Sequence, residues 1–207
     1  MTFELLAWHT DAPLTRTEAA AQEPGELEPH PAVAEFAREF GVLRPEVDIV
    51  APESRYVRVR MTPEQVDEIS TETYALARAH GLVCFDPDRE LVHNLGPVGV
   101  YEGLQLHTGE GLIVIDPDLP LVHDALERLA PANPFTTLVA FGRHFMQASP
   151  EGGAFELEYK DSAQNLIYST RVPDLAEVQR AFQEYATGER GFLDRHDWTT
   201  TQTGGAQ

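Results

Sequence analysis

The sequence predicts an α+β protein in which antiparallel sheets are covered on one face by helices, with two halves of similar size. Short apolar or alternating segments occur in runs separated by turns, which is typical of antiparallel strands. Four other segments carry apolar residues at intervals of three and four, which indicates amphipathic helices. Five glycines between residues 96 and 111 mark a division of the chain.

The predicted organisation places one module on each side of this glycine-rich stretch. Each side contains enough strands and helices for a small sheet of its own. The polar composition of the last nine residues favours disorder. The expected parts are an N-terminal α+β module over 1–95, a connection over 96–111, a C-terminal α+β module over 112–198 and a disordered tail over 199–207.

The first half has the patterns of a small mixed module. Polar and apolar residues alternate over 55–61, as expected of a half-buried strand. Thr62 and Gln65 have the spacing of a capping box, and Gly81 can end the helix that follows. Predicted strands cover 2–8, 55–61, 82–85 and 91–92, predicted helices cover 31–41 and 62–80, and residues 9–30 are a predicted loop.

The second half reads as an antiparallel meander followed by a helix. Asp174 with Glu177 three residues later predicts a helix start, and Gly188 predicts its end. An additional strand around 101–106 is compatible with the glycine-rich connection. Predicted strands cover 112–115, 136–141, 144–148, 154–160 and 165–170, and predicted helices cover 120–129 and 174–188.

The charge of the chain is its strongest physical property. Thirty-four acidic residues stand against fifteen basic ones, which gives a formal net charge of -19 at pH 7. Phosphate contacts need clustered Arg and Lys, so this balance argues against nucleic acid and anionic membranes as partners. It favours association with a basic protein. A solvated surface adapted to salt is the alternative explanation.

Three further features predict a cytoplasmic protein without a cofactor. Cys84 is the single cysteine and lies in an apolar run, so we expect a buried thiol in a reducing compartment. The N-terminus lacks the basic and apolar regions of a signal peptide, and no apolar run approaches the ~20 residues of a membrane helix. Nucleophile-elbow and glycine-rich phosphate motifs are missing from the sequence, so it gives an enzyme no support.

One sequence pattern is a candidate metal site. Residues 82–93 match residues 112–123 at seven of twelve positions, and both copies contain Asp-Pro-Asp followed by a histidine. Carboxylate oxygens and imidazole nitrogens are ligands for divalent cations. Asp before Pro is also ordinary turn chemistry, which is the competing explanation. The candidate ligands are Asp86, Asp88, His93, Asp116, Asp118 and His123.

Two sets of residues resemble known groups of proteins. Residues 4–8 and 75–87 resemble uncharacterised proteins of actinomycetes and other high-GC bacteria. The second resemblance is carried by residues of the C-terminal half, which are 133–135, 145–147, 155–159, 178–185 and Trp198. This half is similar to small acidic immunity proteins of bacterial polymorphic toxin systems, although Gly188-Glu189 replaces the Gly-Asp typical of that group. The resemblance implies a cytosolic binding protein and supplies no catalytic residue.

Three functional hypotheses follow from the sequence. The first is a non-enzymatic protein-binding protein, of the immunity type, whose acidic surface neutralises a basic toxin. The second is a metal-binding protein or metal-dependent enzyme that uses the two Asp-Pro-Asp turns. The third is a DNA mimic whose carboxylates imitate phosphates and inhibit a DNA-binding protein.

Overall fold

The computed structural model describes residues 2–94, 96 and 99–202, and it confirms the α+β class. The chain forms two compact units, Met1–Gly96 and Pro97–Gln207. The division falls at the start of the glycine-rich stretch for which the sequence predicts a connection. Residues 105–108 of that stretch form a strand of the second unit.

The first unit is a five-stranded antiparallel sheet with three helices. The strand order is β2-β3-β1-β4-β5. The elements are β1 Phe3–Trp8, α1 Arg16–Ala20, α2 Pro31–Leu43, β2 Asp48–Val50, β3 Val57–Met61, α3 Val66–Ala79, β4 Val83–Asp86 and β5 Leu91–His93.

Helices α2 and α3 contact strands of this sheet. The alternation of β3, with buried Val57 and Val59 on either side of the less buried Arg58, is the pattern that the sequence predicts. α2 buries a stripe of one valine and two phenylalanines, and it continues two residues beyond Gly41, the predicted end. Together α2 and α3 form the layer that the apolar periodicity predicts.

The opposite face of this sheet carries a smaller apolar cluster. Leu6 pairs in register with Phe85, and Phe85 pairs with Val92, so the three side chains share a face. Ala19 of α1 packs into this cluster. The predicted loop over 9–30 is therefore wrong at α1, where Thr15 accepts a hydrogen bond from the backbone N–H of Glu18 in a capping box.

The second unit is a seven-stranded antiparallel sheet with three helices. The strand order is β12-β11-β10-β9-β8-β6-β7, which contains the predicted meander. The elements are β6 Gln105–Thr108, β7 Ile113–Ile115, α4 Leu119–Glu127, β8 Thr136–Ala140, β9 His144–Glu151, β10 Ala154–Asp161, β11 Leu166–Val172, α5 Leu175–Ala186, α6 Gly191–Arg195 and β12 Thr199–Gln202.

Helix α5 contacts the three strands β9, β10 and β11. Its start and end agree with the sequence, because Asp174 accepts a hydrogen bond from the N–H of Glu177 at 3.0 Å and Gly188 has a φ of 83°. A Cβ at Gly188 would also lie 3.0 Å from Val100. Strand β12 falls within the region that the sequence assigns to a tail, and residues 203–207 lie outside the described residues.

The two faces of the second sheet differ in chemistry. Met146 pairs with Tyr159 and Tyr159 pairs with Tyr168, so these side chains share one face, and α5 supplies Tyr185 to the same aromatic group. On the other face, a hydrogen-bonded row runs across the strands. Thr137 donates to Gln147 at 2.9 Å, and Gln147 donates to Glu158 at 3.1 Å.

We expect Phe182→Ala to lower the free energy of unfolding by about 3–5 kcal/mol, because the Phe182 ring is fully buried beneath α5 and its removal leaves a cavity. Gln183→Ala, at the next and exposed position of the helix, is the control and should change stability by less than about 0.5 kcal/mol. Urea denaturation of the full chain measures both. Similar stabilities for the two variants would show that α5 does not pack as described.

Candidate functional site

Asp86, the first candidate metal ligand, is buried in an ion pair. Its Oδ2 accepts a hydrogen bond from Nη1 of Arg89 at 2.8 Å, and its Oδ1 accepts one from the Arg89 backbone N–H at 2.9 Å. Burial raises the pKa of Asp86, and the charge of Arg89 opposes that rise. Asp88 is exposed in the same turn, and His93 is buried in β5 with its ring edge-on to Tyr74.

The second candidate set lies in the other unit. Asp118 caps α4, where its Oδ1 accepts a hydrogen bond from the N–H of Leu121 at 3.1 Å. Asp116 has a positive φ of 51°, a conformation that aspartate tolerates in turns. His123 is half-buried in α4, and burial lowers its pKa against the opposing charge of Glu127.

The two sets thus carry different local structures, a hairpin turn and a helix start. Over the part of the chain that the structure describes, no group of three or more His, Cys, Asp or Glu side chains lies where it could hold a metal ion. The metal site stays a prediction. Asp86 and Asp118 have structural roles that need no ion.

Cys84 is fully buried in β4. Burial raises the pKa of its thiol well above the ordinary value, and the nearby charge of Asp86 raises it further. A protonated, buried thiol is a poor nucleophile. Cys84 therefore serves as a small apolar residue of the core.

The outer side of α2 presents apolar residues to solvent among acidic ones. Val42 and Leu43 are 80% and 55% exposed. Together with Arg38 and Glu39 they line a depression of ≈ 330 Å³. Glu35 lies one helical turn before Glu39 on the same side. The acidic α2 surface consists of Glu35, Arg38, Glu39, Val42, Leu43 and Glu46.

The carboxylates of the acidic α2 surface are only partly neutralised. His80, at the end of α3, shares a hydrogen bond of 2.9 Å with Oε2 of Glu39. Arg44 lies 3.7 Å from Glu46, and it also forms ion pairs with Glu68 and Glu72 of α3. Because the single charge of Arg44 is shared by three carboxylates, this edge of the first unit has a net negative charge.

The second unit contains a different kind of site, centred on Arg190. The guanidinium carbon of Arg190 lies between 5.6 and 5.9 Å from the centroids of four aromatic rings, those of Tyr101, Tyr159, Tyr185 and Phe192. Such positions allow attraction between the cation and the ring faces. These five residues and His144 are named the Arg190 cluster.

The polar atoms of Arg190 have few protein partners. Its Nη2 donates to the hydroxyl of Tyr101, and its Nη1 donates to the backbone carbonyl of Glu189 at 2.7 Å. Among the described residues, no carboxylate forms an ion pair with Arg190.

His144, the first residue of β9, is held by Tyr185. The Tyr185 hydroxyl donates to the backbone carbonyl of His144 at 3.1 Å, and the same oxygen lies 2.8 Å from Nδ1 of the imidazole. Since a phenol has one proton, Nδ1 is the donor in the second bond. Nε2 of His144 therefore carries no proton in the neutral ring and is the free acceptor.

The environment keeps His144 neutral and Tyr185 protonated at neutral pH. Burial lowers the pKa of His144, and the positive charge of Arg190 lowers it further, against the opposing charge of Asp161. Burial raises the pKa of Tyr185. Asp161 is engaged by its own turn, where Gln164 donates to its Oδ2 at 2.8 Å. The positive charge of the cluster is thus that of Arg190.

The sequence analysis missed the Arg190 cluster. Its members extend from residue 101 to residue 192 and come from a loop, two strands and the end of α5 with its following helix. No spacing rule groups residues so far apart. The one local signal is an arginine that follows the helix-ending Gly188 and precedes Phe192.

Comparison of the chain with protein-family models, curated proteins and solved structures finds no match. Within residues 2–94, 96 and 99–202, no helix combines the length and the hydropathy needed to cross a lipid bilayer. Function is therefore inferred from the residues and their contacts.

In an NMR pH titration of the full chain, we expect the imidazole of His144 to titrate below the ordinary value of about 6.5. Because Arg190 is one cause of the lowering, Arg190→Gln should move the midpoint upward. Arg171→Gln is the control, since it removes an exposed arginine that bonds backbone carbonyls. Equal midpoints in wild type and Arg190→Gln would contradict the placement of Arg190 beside His144.

The free energy of unfolding gives a second readout of the same variants. The unfolded chain binds a proton at His144 near pH 6.5, and the folded chain binds it only at lower pH, so protonation favours unfolding. The stabilisation is fully present above about pH 6.5 and is lost as the pH falls toward the folded-state pKa. This loss should be smaller in Arg190→Gln.

Proposed function

We propose that this chain is a non-enzymatic protein-binding protein that holds a basic partner on the acidic α2 surface, in the manner of an immunity protein that neutralises a toxin. The observation that carries the proposal is the exposed pair Val42 and Leu43, flanked in the chain by carboxylates on both sides. Glu35 and Glu39 precede the pair, and Glu46 follows it.

Val42 and Leu43 have the features expected at the centre of a protein–protein interface. Single exposed aliphatic residues are common on soluble proteins and need no explanation. Val42 and Leu43 are adjacent, and they line a depression of ≈ 330 Å³ together with charged neighbours. Protein interfaces commonly combine an apolar centre with a charged rim, and one or two central side chains supply most of the affinity.

The charged residues around Val42 and Leu43 favour a partner of positive charge. The acidic α2 surface has three carboxylates and one arginine, Arg38. Glu46 also lies near Arg44, and Glu39 forms a hydrogen bond with His80. The unit that contains them has eighteen acidic residues against eight basic ones. A partner with Lys and Arg around an apolar side chain complements both features. Like-charged surfaces are rejected, which gives the surface selectivity as well as attraction.

The sequence supports a binding role without catalysis. It lacks the nucleophile-elbow and phosphate-loop motifs, and the resemblance of its C-terminal half to immunity proteins implies a protein partner. The partners to test first are the basic proteins encoded by the genes that flank this one.

We expect a flanking-gene product to bind the full chain, with an association rate that falls as salt rises. Reversing Glu35 and Glu39 together to Lys should lower that rate by on the order of tenfold at low salt, because the local rim charge steers the encounter. Biolayer interferometry at several ionic strengths measures the rates.

The control reverses two exposed acids of the other unit, Glu102 and Glu151, and so changes the net charge equally. An equal slowing by both double variants would assign the effect to total charge and would remove the acidic α2 surface from the proposal. If none of the flanking-gene products binds, the proposed function is wrong.

The apolar centre makes a separate prediction. Leu43→Ser should weaken binding of the same partner about tenfold, mainly through faster dissociation, because a central apolar contact is lost. Phe141→Ser is the matched control, since Phe141 is a comparably exposed apolar residue of the second unit. Unchanged dissociation in Leu43→Ser would place the interface elsewhere.

A further inference from the structure

We propose that the Arg190 cluster is a binding site for a small-molecule carboxylate, with the guanidinium of Arg190 as the group that holds the anion. This site lies wholly in the second unit and does not depend on the proposed protein-binding function. The ligand class follows from the donors, the acceptor and the aromatic surroundings of the cluster.

Arg190 is unusual among the arginines of this acidic chain. Other partly buried arginines of the described residues contact at least one carboxylate, as Arg58 and Arg128 do, and Arg44 and Arg195 each contact two or more. Arg190 is half-buried and has aromatic rings where those residues have carboxylates. A cation that is partly withdrawn from water without a counter-charge favours an anionic ligand.

The unused donors of Arg190 match a carboxylate. A guanidinium has five N–H groups arranged in a planar fork. Two are used by the carbonyl of Glu189 and the hydroxyl of Tyr101. Three remain, and a bidentate carboxylate needs two.

His144 adds an acceptor to the same cluster. Its ring packs edge-on against Tyr101 at 4.6 Å, and Tyr101 also binds Arg190. Since Nδ1 is occupied by Tyr185, Nε2 can accept a hydrogen bond from a hydroxyl or amino group of the ligand. A carboxylate that also carries such a donor would use both groups.

Charge and apolar surface favour a carboxylate over phosphate. A net charge of -19 repels a doubly charged anion more strongly than a singly charged one. The partly exposed rings of Tyr101 and His144 also offer contact area to an apolar or aromatic body attached to the carboxylate, which inorganic phosphate lacks. Benzoate should therefore bind better than acetate, and acetate better than phosphate.

The test is an NMR and calorimetric titration of the full chain with benzoate, acetate and inorganic phosphate. We expect benzoate to bind saturably with a Kd of about 1 mM or below and to shift the resonances of His144 and Tyr101. Arg190→Gln should weaken this binding at least about tenfold. Arg190→Lys should weaken it too, because lysine keeps the charge and loses the planar fork.

Tyr101→Phe keeps the ring and removes the hydroxyl that orients Arg190, so it should weaken benzoate binding about threefold to tenfold. Arg171→Gln should leave binding unchanged. The proposal fails if none of the three anions binds saturably, or if Arg190→Lys and Tyr101→Phe bind benzoate as wild type does. Either result would make Arg190 a packing residue that covers the aromatic rings. Variants of the acidic α2 surface should bind benzoate normally, which separates this test from that of the proposed function.

Discussion

The fold depends on one constraint, which is that a buried carboxylate must have a partner for its charge. All thirty-four acidic residues are among those that the structure describes, and only Asp86, Asp118 and Glu184 of these are buried. Asp86 forms an ion pair with Arg89. Asp118 accepts a hydrogen bond from a backbone N–H at the start of α4, and Glu184 accepts one from the Arg195 guanidinium at 2.6 Å. Removing a charge from water is costly unless such partners replace the water. The remaining carboxylates therefore lie at least partly in solvent.

This constraint explains how the few basic residues are used. Fifteen cations cannot neutralise thirty-four carboxylates, so the paired arginines concentrate where acids lie close together, as Arg44 does beside Glu68 and Glu72. The edge formed by α2 retains an excess of negative charge, and its carboxylates lie around the exposed side chains of Val42 and Leu43. Arg190 is the opposite case, a partly withdrawn cation surrounded by rings in a chain with abundant carboxylates. At both proposed sites, charges lack a full set of opposite charges.

The sequence predicts the elements whose signals are local and misses what depends on tertiary contacts. Asp174 and Gly188 bound α5 as expected, because a cap and a left-handed end act within one helical turn. Helices α1 and α6 have five residues each and are too short for apolar periodicity. The first Asp-Pro-Asp segment forms the turn between β4 and β5, and the second precedes helix α4. The two differ because Pro120 follows only the second segment, where it favours the start of a helix. The Arg190 cluster required the register of β9 on β10 and the position of α5 on the sheet, and the predicted meander specifies neither.

Ionic strength should affect binding at the two proposed sites differently, because salt screens an attraction at one and a repulsion at the other. At the acidic α2 surface, salt screens an attraction between opposite charges, so association slows as salt rises. At Arg190, an approaching carboxylate is repelled by the negative charge of the chain, and screening reduces that repulsion. The direct contact between the guanidinium and the carboxylate is partly buried, and buried pairs are screened less. Carboxylate binding should thus depend less on salt than protein association does, which follows from burial and the sign of the surrounding charge.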